Sequence, residues 1–178
     1  EGIFFNWNEL DYIDQTKPWW SELVAEELTI NGKDFMITGD ISLALWKGMN
    51  CVFFNKKLAE NYQTGDLYAL VKDGKWTFDK MTELTKDVYQ DVDGDGKKSK
   101  GDSYGMLMGW ATEIDNMKEA FEIHVTEKGK DGFPEITLVN EHTIEAVGKI
   151  NDYIHNNKGV YANGDTDIRT QIYNMFSN

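Results

Sequence analysis

Apolar residues recur at helical spacing in several segments of the chain, with polar residues between them. The clearest patterns are WTFDKMTELTKDVYQ, residues 76–90, and NEHTIEAVGKINDYIHNN, residues 140–157. Thr77 and Asn140 are typical N-cap residues for these two helices, and Asp79 lies in the first turn of the earlier one, where the helix dipole favours a carboxylate. Shorter helical patterns occur in WWSELVAEEL, where Pro18 suits a first helical turn, and in KKLAENY, GDLYALVK, TEIDNMKEAFEIHV and DTDIRTQIYNMF.

Continuous apolar runs and turn signals predict strands between these helices. NCVFFN reads as a buried strand, and YGMLMGW and PEITLV also have the character of strands. INGKDFMITGD contains an Asn31-Gly32 turn followed by a short strand, whereas ISLALWKGMN fits a helix and a strand equally well. Strands that alternate with helices predict an α/β fold with a mixed sheet flanked by helices.

The segment DVDGDGKKSKGD, residues 91–102, matches the ligand spacing of a calcium loop. Such a loop supplies oxygen ligands from positions 1, 3, 5, 7, 9 and 12 and has a glycine at position 6 for a sharp turn. In that order the ligands are Asp91, Asp93, Asp95, the backbone carbonyl of Lys97, Ser99 and Asp102, with Gly96 at the turn. The sequence therefore predicts a Ca²⁺ site, although Asp102 is shorter than the usual glutamate and favours a weaker one.

The surroundings of the loop predict a structural role for the ion. The loop runs from a predicted helix into the strand-like YGMLMG, and the chain contains no second loop of this kind. A calcium sensor works by moving two helices apart, and this loop has no second helix to move. We expect calcium to fix a corner between a helix and a strand.

Composition and charge narrow the classes of function. The 178 residues carry a net charge of −13, which opposes binding to nucleic acid or to an anionic membrane surface. The single cysteine, Cys51, excludes an internal disulfide, and its apolar surroundings predict a buried thiol. The three histidines stand near no nucleophile motif, and phosphate-loop and paired-cysteine motifs do not occur, so we expect no catalysis.

The aromatic residues point to ligand binding instead. Six tryptophans are many for this length, and Trp110 directly follows the predicted strand YGMLMG. Ligands of open α/β sheets bind beyond the carboxyl ends of the strands, where a tryptophan can present its face to a sugar ring. A tryptophan packed beneath the next helix is the alternative interpretation of Trp110.

The order of KPWW, INGKDFMITGD, VFFNKKLAENY, DLYALVKDGKWTFDKMTELTK and DVDGDGKKSKGDSYGMLMG resembles the extracellular solute-binding proteins of bacterial ABC importers, the family that includes maltose-binding proteins. The resemblance spans nearly the whole chain. It implies a type II periplasmic-binding-protein-like fold, in which two α/β lobes clamp a ligand. It also implies a monomer that delivers a carbohydrate to a membrane permease and that is lipid-anchored at the cell surface or periplasmic.

The resemblance also implies a domain division and a set of ligand residues. Intact members are roughly twice this length, as two-domain proteins are. Residues 1–50 then correspond to the crossover or hinge region with the edge of the first lobe, and residues 51–178 to an incomplete second lobe. The implied ligand-binding residues are Trp110, Thr112, Glu113, Asp40, Trp19 and Trp20.

Two alternatives remain open from the sequence. The first is a fragment of a glycoside-active enzyme, which needs two converging carboxylates. The second is a calcium-dependent structural or sensor module. Within the binding-protein interpretation, peptides and polyamines remain possible ligands.

Overall fold

The computed structural model describes residues 2–40, 42–109, 111–164 and 167–177. Within these ranges the chain forms one 3₁₀ helix at Trp7–Glu9, eight α-helices and six strands. The helices are α1 Glu22–Leu28, α2 Leu43–Lys47, α3 Lys56–Asn61, α4 Leu67–Lys72, α5 Phe78–Thr85, α6 Ala111–Ala120, α7 Glu141–Asn156 and α8 Ile168–Ser177. The strands are β1 Tyr89–Gln90, β2 Ser103–Tyr104, β3 Met106–Gly109, β4 Thr126–Lys128, β5 Pro134–Ile136 and β6 Val160–Asn163.

The fold is mixed α/β, as the sequence predicts, but its strands pair only two by two. Across the described residues, β1 pairs antiparallel with β2, β4 pairs antiparallel with β5, and β3 pairs parallel with β6. The single mixed sheet expected from the sequence is therefore replaced by three separate pairs. None of the helices in the described ranges combines the length and the apolar character that a membrane span requires.

The chain divides into two compact units. The first contains Glu1–Cys51 and His124–Leu138, and the second contains Val52–Ile123 and Val139–Asn178. The first unit ends beside the predicted boundary at residue 50, but it also includes the β4–β5 hairpin. That hairpin belongs there because Lys128 Nζ donates to the Glu26 carbonyl at 2.6 Å and Asn31 N donates to the Gly132 carbonyl at 2.9 Å. The assignment of the two parts to lobes of a binding protein stays a prediction.

Asp34 organises the first unit. This carboxylate is buried, and it accepts hydrogen bonds from the Thr29 hydroxyl and, at 3.1 Å, from Gln15 Nε2. Its backbone carbonyl accepts from Trp7 N at 2.7 Å, and its N–H donates to Asn6 Oδ1 at 3.0 Å. One buried residue thus joins the 3₁₀ helix to the segment after α1.

The core of the second unit lies between helices α5 and α7 and the core-facing side of the β3–β6 pair. The buried side chains are Met81, Met108, Ile150, Tyr153, Ile154 and Val160. Both predicted N-caps are confirmed, because Thr77 Oγ1 accepts from Lys80 N at 3.1 Å and Asn140 Oδ1 accepts from Thr143 N at 2.8 Å. The 3.6-residue period of the two helices brings their apolar faces together.

Several local predictions are wrong. The short strand expected after the Asn31-Gly32 turn is reduced to isolated bridges at Lys33 and Gly39. The segment NCVFFN forms no strand, Phe53 is 78% exposed and Cys51 is exposed rather than buried, because no neighbouring strand among the described residues pairs with this run. Helix α1 begins at Glu22 rather than near Pro18, since Ser21 Oγ caps Val24 N at 3.3 Å. Strand β6 was not predicted.

Candidate functional site

The Asp-rich loop connects two paired strands. Strand β1 leads into it and β2 leads out, with Tyr89 opposite Tyr104 and Gln90 opposite Ser103. Helix α5 ends at Thr85, before the loop is reached. The predicted corner between a helix and a strand is therefore a hairpin, and an ion in this loop would hold two strand ends rather than a helix end.

Three of the predicted metal ligands converge. Asp91, Asp93 and Asp95 each have a carboxylate oxygen within 4.8 Å of the others. Two ligands that share a calcium ion at 2.3–2.6 Å lie at most about 5 Å apart, so the triad could hold a metal ion. Carboxylate oxygens without histidine or cysteine suit a hard cation.

Backbone amides hold the three carboxylates in place. Asp91 accepts from Gly94 N at 2.7 Å and from Gly96 N at 2.9 Å. Asp93 Oδ1 accepts from Asp95 N at 3.1 Å, and Asp95 Oδ1 accepts from Lys97 N at 2.7 Å. Gly96 has φ +74°, a left-handed conformation that favours glycine, as the position-6 turn requires. The local geometry that the motif predicts for this part of the loop is present.

Asp102 stands outside the triad and closes the base of the loop. It is 8% exposed, and its carboxylate accepts from Val92 N at 3.0 Å and Ser99 N at 2.9 Å and from the hydroxyls of Tyr89 and Tyr104 at 3.3 and 3.4 Å. Burial acts to raise the pKa of Asp102, but these four hydrogen bonds outweigh it and hold the pKa below its ordinary value. Asp102 thus ties the first turn of the loop to its last.

Ser99 lies beside the triad. A Cβ atom built on Gly101 would lie 3.2 Å from Asp93 Oδ2 and 3.3 Å from Ser99 Oγ, so these two oxygens converge over Gly101. The Ser99 hydroxyl also accepts from Gly101 N at 2.9 Å. The sequence predicted Lys97 to contribute only its backbone carbonyl, and its side chain is exposed.

Lys98 attaches the loop to the core of the second unit. Its Nζ atom donates to the carbonyls of Asn157 and Val160 at 3.0 and 3.4 Å, at the end of α7 and the start of β6. Burial lowers the pKa of Lys98, and the nearby charge of Lys158 adds to this shift. The position of the loop is therefore coupled to the segment that leads into β6.

The β3–β6 pair has two different faces. Met106, Met108, Val160 and Ala162 face the core, and the alternate residues of each strand face the other way. We call this second side the Asn163 face, formed by Leu107, Gly109, Tyr161 and Asn163. Tyr161 packs on it against Tyr104, with ring centroids 5.1 Å apart. The carboxyl ends of both strands, Gly109 and Asn163, are register partners.

Glu113 places its carboxylate over the end of β3. A Cβ atom built on Gly109 would lie 2.5 Å from Glu113 Oε2, so the carboxylate occupies the space that a side chain at position 109 would fill. Register partners of a parallel pair point to the same face, and neighbouring strands lie about 4.8 Å apart. The half-buried Glu113 carboxylate therefore lies on the same face of the pair as Asn163, and it accepts no hydrogen bond from any described residue.

The side chain of Asn163 is held from two directions. Its Nδ2 atom donates to the Tyr161 hydroxyl at 3.0 Å and to Gln171 Oε1 at 3.3 Å. Gln171 lies in the first half of α8, and its Nε2 atom donates to Asp167 Oδ1 at 2.7 Å. Amide and carboxylate groups from β6, α6 and α8 thus gather at one edge of the parallel pair.

The other predicted ligand residues fall into two groups. Trp19, Trp20 and Asp40 meet in the first unit, where Trp20 forms an antiparallel bridge with Gly39 and Asp40 N donates to the Trp19 carbonyl at 2.8 Å. Trp110 lies outside the described residues, and so does the side chain of Thr112. Of the three positions predicted after β3, only Glu113 can therefore be placed.

The sequence-based prediction missed Asn163, Tyr161 and Gln171. The only signal for Tyr161 and Asn163 was the run GVYANG, whose alternation is too short to separate a strand from a loop. Gln171 lies in the predicted helix DTDIRTQIYNMF, where nothing distinguishes it from other polar residues. Comparisons of the chain with protein-family models, with curated proteins and with solved structures found no match.

Proposed function

We propose that this protein is a non-catalytic solute-binding component of an ABC importer that captures a mono- or oligosaccharide. In this proposal it is a monomer outside the cytoplasmic membrane, lipid-anchored or periplasmic, and it delivers its ligand to a permease. The motif order from KPWW to YGMLMG supports the family, and the mixed α/β fold is compatible with it.

The observation that carries the proposal is the Glu113 carboxylate at the carboxyl end of β3. Half-buried, it lacks a hydrogen-bond partner among the described residues and lies at the edge of a parallel strand pair. Ligands of α/β proteins bind beyond such strand ends. A partly buried acceptor there can receive hydrogen bonds from sugar hydroxyls, which binding sites for small polar ligands place at a few defined points.

Calcium has a structural role in the proposed function. The Asp91, Asp93 and Asp95 carboxylates would hold the ion, with further oxygens from the Lys97 carbonyl and Ser99. The Asp102 carboxylate, which the motif predicts at position 12, instead accepts the hydrogen bonds that close the base of the loop. The ion would neutralise three mutually repelling carboxylates and fix the β1–β2 hairpin. No part of ligand capture needs the ion to contact the sugar.

The experiment is a thermal-unfolding screen of the calcium-saturated protein against mono- and oligosaccharides, peptides and polyamines. A ligand at 100 times its dissociation constant stabilises the folded state by about 2.7 kcal/mol. We expect at least one saccharide to raise the melting temperature and peptides and polyamines to leave it unchanged. A response confined to peptides or polyamines would contradict the sugar assignment, and turnover of chromogenic glycosides would contradict the non-catalytic assignment.

A further inference from the structure

The Asn31-Gly32 turn of the first unit carries two groups that can react with each other. Asn31 and Gly32 have φ +47° and +72°, the left-handed backbone that is typical of two-residue Asn-Gly turns. Ile30 and Lys33 close the turn, since the backbone N–H of each donates to the carbonyl of the other at 3.0 Å. Asn31 and Gly32 are both exposed, so solvent reaches the whole turn.

Neither the side-chain amide of Asn31 nor the backbone nitrogen of Gly32 is held by a hydrogen bond. Among the described residues, no group donates to or accepts from the Asn31 amide, and Gly32 N donates to no acceptor. A Cβ atom built on Gly32 would meet nothing within 4 Å, so the space beside this residue is open. The two groups are therefore free to approach each other once the turn opens locally.

The other pairs in which an aspartate or asparagine precedes a glycine are held more firmly. In Asn163-Gly164 the asparagine amide is half-buried and donates to Tyr161 and Gln171. The remaining four pairs have an aspartate, and in each the glycine N–H is already donated: Gly74 N to the Val71 carbonyl at 3.1 Å, Gly94 N and Gly96 N to the Asp91 carboxylate at 2.7 and 2.9 Å, and Gly132 N to the Gly129 carbonyl at 3.0 Å.

We propose that Asn31 is a site of spontaneous deamidation, with Gly32 N as the nucleophile and water as the co-reactant. A base in solution removes the Gly32 N–H proton, and the nitrogen attacks Asn31 Cγ. The N–Cγ bond forms, the Cγ–Nδ2 bond breaks, and ammonia leaves with a proton from water. Glycine suits this step, because the absence of a Cβ atom lets other atoms approach its backbone closely.

Water then opens the cyclic imide at one of its two carbonyl carbons. Attack at Cγ breaks the new N–Cγ bond and leaves an aspartate at position 31. Attack at the main-chain carbonyl carbon of Asn31 leaves an isoaspartate, whose main chain runs through Cβ and Cγ and is one atom longer. The reaction is a hydrolysis, so it needs no oxidant or reductant.

The longer main chain of an isoaspartate does not fit the contacts of this turn. Asn31 N donates to the Gly132 carbonyl at 2.9 Å, which is one of the two bonds that hold the β4–β5 hairpin in the first unit. A Cβ atom built on Gly132 would lie 3.1 Å from Asn31 Cα, so the two backbones pack closely. We expect isoaspartate formation to break the Ile30–Lys33 bonds and to destabilise the first unit.

Peptide mapping of the whole chain tests the proposal, with Asn163 as a control in the same sample. The folded protein is incubated at mildly alkaline pH in water enriched in a heavy oxygen isotope, and mass spectrometry follows the label at both asparagines. We expect Asn31 to take up label about tenfold faster or more, because Asn163 must first lose its two hydrogen bonds. In urea the two rates should become similar, since each asparagine then precedes a flexible glycine.

Two results of the mapping would overturn the proposal. The first is no label at Asn31 in the folded protein while the same residue reacts in urea, which would show that the turn protects it. The second is equal uptake at Asn31 and Asn163 in the folded protein. Neither result depends on ligand binding, so the proposed function would stand in both cases.

Two variants separate the effect of the longer main chain from that of the added charge. Asn31→Ser has no side-chain amide and should take up no label at this position. Asn31→Asp carries the charge of the aspartate product with a main chain of normal length. Incubated wild type should melt at a lower temperature than freshly prepared Asn31→Asp. Equal melting temperatures would show that the isoaspartate does not destabilise the first unit.

Discussion

Gly159 packs against the carbonyl oxygen of Thr85 so closely that a Cβ atom on the glycine would lie 1.7 Å from that oxygen. The Gly159 carbonyl also accepts from Met106 N at 2.9 Å, which aligns β6 with β3. The approach of these two residues therefore sets the distance between α5 and the parallel strand pair.

We predict that Gly159→Ala destabilises the protein by roughly 1–3 kcal/mol or more, because a backbone carbonyl cannot move aside as a side chain can. Urea unfolding measures this change. Gly148→Ala is the matched control, since Gly148 lies within α7 with open space around it and alanine should stabilise the helix by about 0.5–1 kcal/mol. Equal effects of the two substitutions would show that the Thr85 contact is not tight.

Stability should also fall at alkaline pH through Tyr153. Burial raises the pKa of Tyr153 to about 12, although a hydrogen bond with Thr85 acts slightly against the shift. The unfolded chain loses this proton near pH 10 while the folded chain keeps it, so the contribution is full below about pH 10 and is lost as the pH rises toward about 12. Two pKa units correspond to roughly 2–3 kcal/mol.

The measurement is the free energy of unfolding of wild type and Tyr153→Phe at about pH 9 and about pH 11. The phenylalanine variant should lose less stability over this interval than the wild type. Tyr173→Phe is the control, because Tyr173 is 71% exposed. Removing its hydroxyl should leave the pH dependence of the free energy of unfolding as it is in the wild type. If the free energy of unfolding fell equally between the two pH values in wild type and in Tyr153→Phe, the buried Tyr153 hydroxyl would not be the cause of the alkaline destabilisation.

In the first unit we predict a similar effect at Gly39. A Cβ atom there would lie 1.9 Å from the Trp19 carbonyl oxygen, and the Trp20–Gly39 bridge would have to open. Gly39→Ala should lower the melting temperature and change the tryptophan fluorescence of the folded state. Ser42→Ala is the control, since Ser42 precedes α2 without a side-chain capping bond and should cost little. A melting temperature as high as that of Ser42→Ala would contradict the prediction.

The sequence could predict those features whose signals are local. The caps Thr77 and Asn140 act on backbone groups only three residues away, and the spacing of Asp91, Asp93 and Asp95 is itself the geometry of the turn. Such features depend little on the rest of the chain. For that reason the two helix starts and the triad lie where the pattern predicts them.

Features that depend on distant pairing could not be predicted from the same sequence. The place of Asn163 follows from its register with Gly109, which a periodic pattern does not encode. The prediction of a buried strand at NCVFFN was wrong for the same reason, since an apolar run becomes a buried strand only when another strand lies beside it. Asp102 fits position 12 of the motif, yet its carboxylate is occupied by backbone amides and tyrosine hydroxyls at the base of the hairpin.

The last prediction concerns calcium and the triad. Replacing Asp91 and Asp93 together with alanine leaves one carboxylate of the three, which is too few to hold a hard cation in this loop. We expect calcium at 100 times its dissociation constant to stabilise the wild type by about 2.7 kcal/mol and to leave the double variant unchanged. Calorimetry should give one ion per wild-type chain.

Asp87→Ala controls for the loss of negative charge, because Asp87 is an exposed carboxylate just after α5 and outside the triad. It should keep the calcium response of the wild type. If calcium raised the melting temperature of the Asp91 and Asp93 double variant as much as that of Asp87→Ala, the ion would bind elsewhere. A full response to magnesium at the same concentration would instead indicate a site without preference for the larger ion.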